Sequence, residues 1–136
     1  EYQDLRADDA VKDYLTVPHD EFIQLCTVAA RNLGLENFTA SELPGGGVQI
    51  SGFETDSRRL GTRKMPRLMR FYRTTEPLDE STVRETMEEM KKNNIIRGVI
   101  LTSSSFTRKA LDFAENRPIE LYNRERLQEI LKRRTD

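Results

Sequence analysis

Residues Gly98 to Thr102 carry a short unbroken apolar run, Val99-Ile100-Leu101, and it constrains the fold more than any other stretch. A strand with one face in water alternates apolar and polar residues, whereas an unbroken run reads as a strand buried on both faces. A helical pattern follows from about Thr107 to Asn116. Then come a second short strand, Ile119 to Tyr122, and a last helix that Asn123 can cap, carrying Leu127, Ile130 and Leu131. This strand-helix-strand-helix alternation implies parallel strands joined by crossover helices, and so an α/β sheet.

Upstream of that unit, Phe22, Leu25, Cys26, Ala29, Ala30 and Leu33 fall at helical spacing, with Asp20 as the expected N-cap and Gly34 as the stop. The glycine triplet Gly45 to Gly47 introduces an alternating run, Val48 to Phe53. A second run, Leu68 to Thr74, follows a polar basic stretch, and the two read as antiparallel strands. Thr82 and Glu85 have capping-box spacing ahead of Val83, Met87 and Met90, on a helix expected to end near Asn93 or Asn94. Residues 1–18 read as an acidic arm or linker, with Val11, Tyr14 and Leu15 giving about two helical turns before Pro18 stops them. The folded domain is then expected over residues 19–136. A chain of 136 residues needs only one core.

Composition excludes several functions. Cys26 is the only cysteine, so the chain holds no internal disulfide and no cysteine-cluster metal site, which fits a reducing, cytoplasmic setting. It has no apolar run long enough to cross a membrane and no signal-peptide pattern. The net charge of -1 hides an uneven distribution. Seven acids lie between Glu1 and Glu21, whereas Ser57 to Thr75 holds Arg58, Arg59, Arg63, Lys64, Arg67, Arg70 and Arg73 with no acid. Such a stretch is a candidate nucleic-acid or polyanion contact, because guanidinium forks match phosphate oxygens; the competing reading is a solvated loop paired with the acidic arm.

Other candidates are weaker. Ser103 to Ser105 before a helix could form an anion site or simply cap the helix. The glycine triplet lacks the Gly-Lys-Ser/Thr ending of a phosphate-binding loop. His19 has no second His or Cys nearby, and Cys26 reads as buried filler.

The segments Gly98-Val-Ile-Leu-Thr-Ser-Ser-Ser-Phe-Thr107, Ala110, Ala114 and Ile119-Glu-Leu-Tyr-Asn-Arg-Glu-Arg-Leu127, in this element order, resemble the catalytic domain of Mrr-type restriction endonucleases over residues 19 to 134. The resemblance implies a restriction-endonuclease-like αβββαβ core, a mixed central sheet flanked by helices, of bacterial kind. It also implies metal-dependent phosphodiester cleavage, by an Asp after a Gly-rich turn and a Glu or Gln followed two residues on by a Lys. Aligned on Gly46-Gly-Val-Gln-Ile50 and on Pro77 and Val83-Arg-Glu85, this chain has Gln49, Arg70 and Tyr72 at those three places. Arginine cannot ligate a divalent metal and repels one. The expectation is a domain without catalytic residues, metal or cofactor, binding nucleic-acid backbone or another polyanion. Other domains of a longer chain are expected partners. A protein-interaction or homodimerisation scaffold is the first alternative. A metal-dependent nuclease with migrated acids, Glu42, Glu54 and Asp56, is the second.

Overall fold

A computed structural model describes residues 10–56 and 63–132. Helix α1 is described over residues 10–16, followed by α2 (His19–Asn32), strands β1 (Glu36–Glu42), β2 (Val48–Asp56) and β3 (Arg63–Tyr72), and α3 (Glu80–Lys92). The chain then alternates through β4 (Gly98–Thr102), α4 (Arg108–Ala114), β5 (Ile119–Tyr122) and α5 (Arg124–Lys132). The strands lie in one sheet in sequence order. β1, β2 and β3 pair antiparallel, and β3, β4 and β5 pair parallel, so the sheet is mixed as expected.

Helices cover the sheet on two faces because the strands are apolar on both where they cross the centre. On one face Tyr14, Phe22, Cys26 and Ala29 from α1 and α2 and Leu127 and Ile130 from α5 pack against Val48, Ile50, Met69, Phe71 and Leu101. On the other, Val83 and Met90 of α3 and Ala110 and Ala114 of α4 pack against Leu68, Ile100 and Ile119. Each large side chain so buried contributes roughly 1.5–3 kcal/mol relative to leaving it exposed. No helix among the described residues is long and apolar enough to cross a membrane.

Several local expectations need correcting. Part of the expected arm packs on the domain: Val11 and Tyr14 are fully buried, and the Tyr14 hydroxyl donates to the Tyr72 carbonyl at 2.8 Å. Residues 1–9 lie outside the described residues. The N-cap of α2 is Pro18 and not Asp20, with no side-chain hydrogen bond. For α3 the cap is Asp79, whose carboxylate accepts from the Thr82 amide and the Ser81 hydroxyl. These bonds hold its pKa below the ordinary value, Ser81 first and then Thr82. The predicted Thr82–Glu85 box sits one turn too late. Residues Glu36–Glu42, to which the sequence pattern assigns no element, form β1, and β2 and β3 run longer than their apolar cores, so the stretch around Pro66 is strand.

The turn from β1 to β2 needs its glycines: Gly45 and Gly46 have φ of 88° and 98°, a region costly for residues bearing a Cβ. In the β2–β3 register Gln49 lies opposite Arg70.

Candidate functional site

The β2–β3 register sorts side chains by parity. Val48, Ile50 and Glu54 share one face with Arg67, Met69, Phe71 and Arg73; Gln49, Ser51, Phe53 and Thr55 share the other with Lys64, Pro66, Leu68, Arg70 and Tyr72. Gln49, Arg70 and Tyr72 therefore converge on the α3 side. Arg70 and Tyr72 line a cleft of about 400 Å³ between the β1–β2 turn, at Leu43 and Pro44, and α3.

Arg70 is 8% exposed. Its Nε donates to Gln49 Oε1 at 2.8 Å, its sole hydrogen bond among the described residues. No ion pair involves it among those residues either. A guanidinium has five N–H donors, so the terminal nitrogens remain for a ligand in the cleft. A buried charge without a counter-ion is costly, and an anion entering the cleft offsets that cost.

The opposite wall comes from α3. Glu85, Glu88, Glu89 and Lys92 line it, and Glu89 also accepts from the Asn93 side-chain amide at 3.1 Å. These acids were not foreseen, because which face of a helix meets a cleft depends on how the helix crosses the sheet.

The basic set divides. Arg58 and Arg59 lie outside the described residues. Arg63 and Lys64 are exposed at the start of β3, with Lys64 on the cleft face. Arg67 is on the other face, where its Nε donates to Glu54 Oε1 at 2.8 Å. Arg73 donates to the Val17 carbonyl at 2.6 Å and stands 4.3 Å from the centre of the Phe22 ring, tying the chain between α1 and α2 to the end of β3. Arg67 and Arg73 thus do structural work away from the cleft, and strand parity with Met69 and Phe71 was the signal that could have shown it.

The acids considered for a migrated metal site do not gather. Glu54 is held by Arg67, and Glu42 Oε2 lies 3.1 Å from His19 Nε2 at an angle outside hydrogen-bond geometry. Both acids belong to the face away from the cleft, and the Asp56 side chain lies outside what is described. Among the described residues no three Asp, Glu, His or Cys side chains come together to hold a metal ion. At the cleft Gln49 Oε1 already accepts from Arg70, whose guanidinium is no ligand and repels a cation, and the Glu85, Glu88 and Glu89 carboxylates on α3 form no such group either.

The serine run is structural. The Ser103 hydroxyl donates to the Thr74 carbonyl at 2.8 Å and accepts from the Thr74 amide at 2.9 Å, joining the exits of β3 and β4. The Ser104 hydroxyl pairs with Thr102 Oγ1 at 2.9 Å. The cap of α4 is Thr107. Cys26 is buried, which pushes its thiol pKa up and makes it a poor nucleophile.

Comparison with known proteins agrees with this architecture. The Mrr catalytic-domain family model, described as restriction endonuclease, matches residues 14–131. The DNA modification-dependent restriction endonuclease AspBHI superposes with a TM-score of 0.71 at 14% identity, over 96% of this chain and 35% of that one. MspJI restriction endonuclease in complex with a 27-mer oligonucleotide superposes with a TM-score of 0.53 at 15% identity, over 93% of this chain and 30% of that one. The chain spans about a third of the length of each of these structures. No curated protein matches it.

Proposed function

Because the chain belongs to the Mrr-type restriction endonuclease family, with residues 14–131 matched, we propose that it is a member that holds nucleic-acid phosphate in its cleft without cutting it. The observation that carries this reading is Arg70, a residue more than nine-tenths buried that lines the cleft, anchored to Gln49 and free of any ion pair among the described residues. A fixed organic cation can grip a phosphate with paired donors, as arginine does elsewhere. It neither activates a water nor offers the open coordination through which a metal works. Gln49 fixes the guanidinium plane, and Lys64, exposed on the same face, adds a second positive charge. The oligonucleotide bound by the structurally similar MspJI is consistent with this reading.

The test is a titration of labelled DNA at two salt concentrations with Mg²⁺ present and the products resolved on a gel. Binding should weaken steeply with salt, the DNA should stay intact, and Lys64→Gln should lower the salt slope by about one. Cleavage that survives rigorous purification overturns the non-cutting reading. Absence of binding at low salt together with self-association moves the assignment to an interaction scaffold.

A further inference from the structure

The face of the β2–β3 hairpin that carries Arg70 continues past the cleft toward the outer end of the hairpin. Along the Arg70 face of the β2–β3 hairpin, the cross-strand pairs after Gln49–Arg70 are Ser51–Leu68, Phe53–Pro66 and Thr55–Lys64. Leu68 is buried with Val83 and Met90 of α3 in the second core. The next pair outward is not: Phe53 is 40% exposed, opposite Pro66, and Lys64 beyond it is exposed. A large aromatic left partly in water on a face that also carries Arg70 and a lysine is a stacking surface beside two cations, although the exposed Glu36 stands opposite Phe53 and accepts from the Thr55 hydroxyl at 3.3 Å.

The cleft's acidic wall sets the direction a bound chain takes. Glu85 and Glu88 are exposed on α3 next to Arg70 and repel an anionic chain running over that helix. A chain leaving Arg70 along the hairpin passes over the half-buried Ser51, the partner of buried Leu68, and meets Lys64 and the single carboxylate of Glu36 beside Phe53, less acid than the α3 wall presents. Pro66 and Arg70 are four residues apart on β3, about 13 Å, a span that a short run of unstacked nucleotides covers. In a duplex the base faces are stacked on one another and out of reach, whereas an unpaired base can lie on an aromatic ring.

Resting on the phosphate-binding reading of Arg70, we infer that the ligand is single-stranded nucleic acid, with its backbone gripped at Arg70 and a base stacked on Phe53. Phe53 is exposed, so its replacement leaves the core intact. The chain contains no tryptophan, so Phe53→Trp places a single reporter at the proposed contact.

The experiment titrates this chain, its F53W variant and its F53A variant with one oligodeoxynucleotide, single-stranded and as its duplex, at low salt. F53W emission should be quenched by the single strand and little changed by the duplex. The single strand should bind about tenfold more tightly than the duplex, and F53A should lose about that factor for the single strand alone. Equal affinity for both forms, unchanged by F53A and without F53W quenching, overturns the stacking platform while leaving phosphate binding at Arg70 standing. Failure of the wild-type chain to bind either form overturns the phosphate-binding reading, and the platform with it.

Discussion

Position 70 sets stability against binding within one side chain. A charged residue only 8% exposed and without an ion pair among the described residues is a cost to the free protein that a bound anion removes. Arg70→Met should therefore raise the stability of the ligand-free chain by about 1 kcal/mol while abolishing salt-dependent DNA binding. Inorganic phosphate should raise the melting temperature of the wild type and leave that of R70M unchanged. A loss of several kcal/mol in R70M, read by urea unfolding, would make Arg70 a structural residue instead. The acids of the wall give the opposite sign: replacing Glu85 and Glu88 together by glutamine should tighten DNA binding several-fold at low salt, and the gain should fade at high salt. At this scale the sequence was legible as far as parity reaches. Strand alternation sets Arg70 and Tyr72 on the face opposite Met69 and Phe71, and the same alternation, carried to Arg67, Arg73 and Glu54, assigns them to the face covered by α1, α2 and α5, where they are found. The glutamates of α3 were beyond it, because parity within a strand says nothing about a helix crossing above.

Elements differed in how plainly they announced themselves, and the reason is burial. β4 lies between two helical layers and shows an unbroken apolar run; α2 shows a single apolar stripe; both were legible. β1 lies at the sheet edge with six of its seven residues exposed, so Glu36–Glu42 carries no alternation to detect. Its antiparallel pairing with β2 holds it, and it approaches closely at Gly52, where a Cβ would stand 2.6 Å from Phe38 Cβ and 2.9 Å from the Glu36 carbonyl oxygen. Gly52→Ala should cost about 1–3 kcal/mol by forcing β1 off β2, and amide exchange should quicken in β1 before the rest of the sheet. The cap of α3 was misplaced by one turn because both Asp79 and Thr82 are good cap residues, and only the backbone decides between them. Asp79→Ala should cost about 1 kcal/mol. Since folding lowers the Asp79 pKa, its contribution is complete above about pH 4 and fades as pH falls through the lowered value. An acid titration of the D79A and wild-type chains should therefore converge at low pH.

Over the whole molecule, the core joining α1, α2 and α5 to the sheet contains two ionisable groups kept neutral by burial. Cys26 and Tyr14 both lie fully buried in it, and burial raises both pKa values. In each case the folded state keeps a proton that the unfolded chain releases as pH rises, so the native state binds more protons and stability must fall with increasing pH. The loss begins where the unfolded thiol titrates, at about pH 8.5, and a second loss begins where the unfolded phenol titrates, at about pH 10. Cys26 alone should cost the fold about 1.4 kcal/mol by pH 9.5, with the slope steepening beyond pH 10 as Tyr14 joins it. Urea unfolding of the wild type and Cys26→Ala at pH 7, 8.5, 9.5 and 10.5 separates the two groups: C26A should be the less stable at pH 7 because it leaves a small void, and should hold its stability up to about pH 10. Because Cys26 is the single thiol, its alkylation at pH 8 should proceed at the rate of opening of this core, and faster labelling that does not track urea would show α2 parting from the sheet on its own.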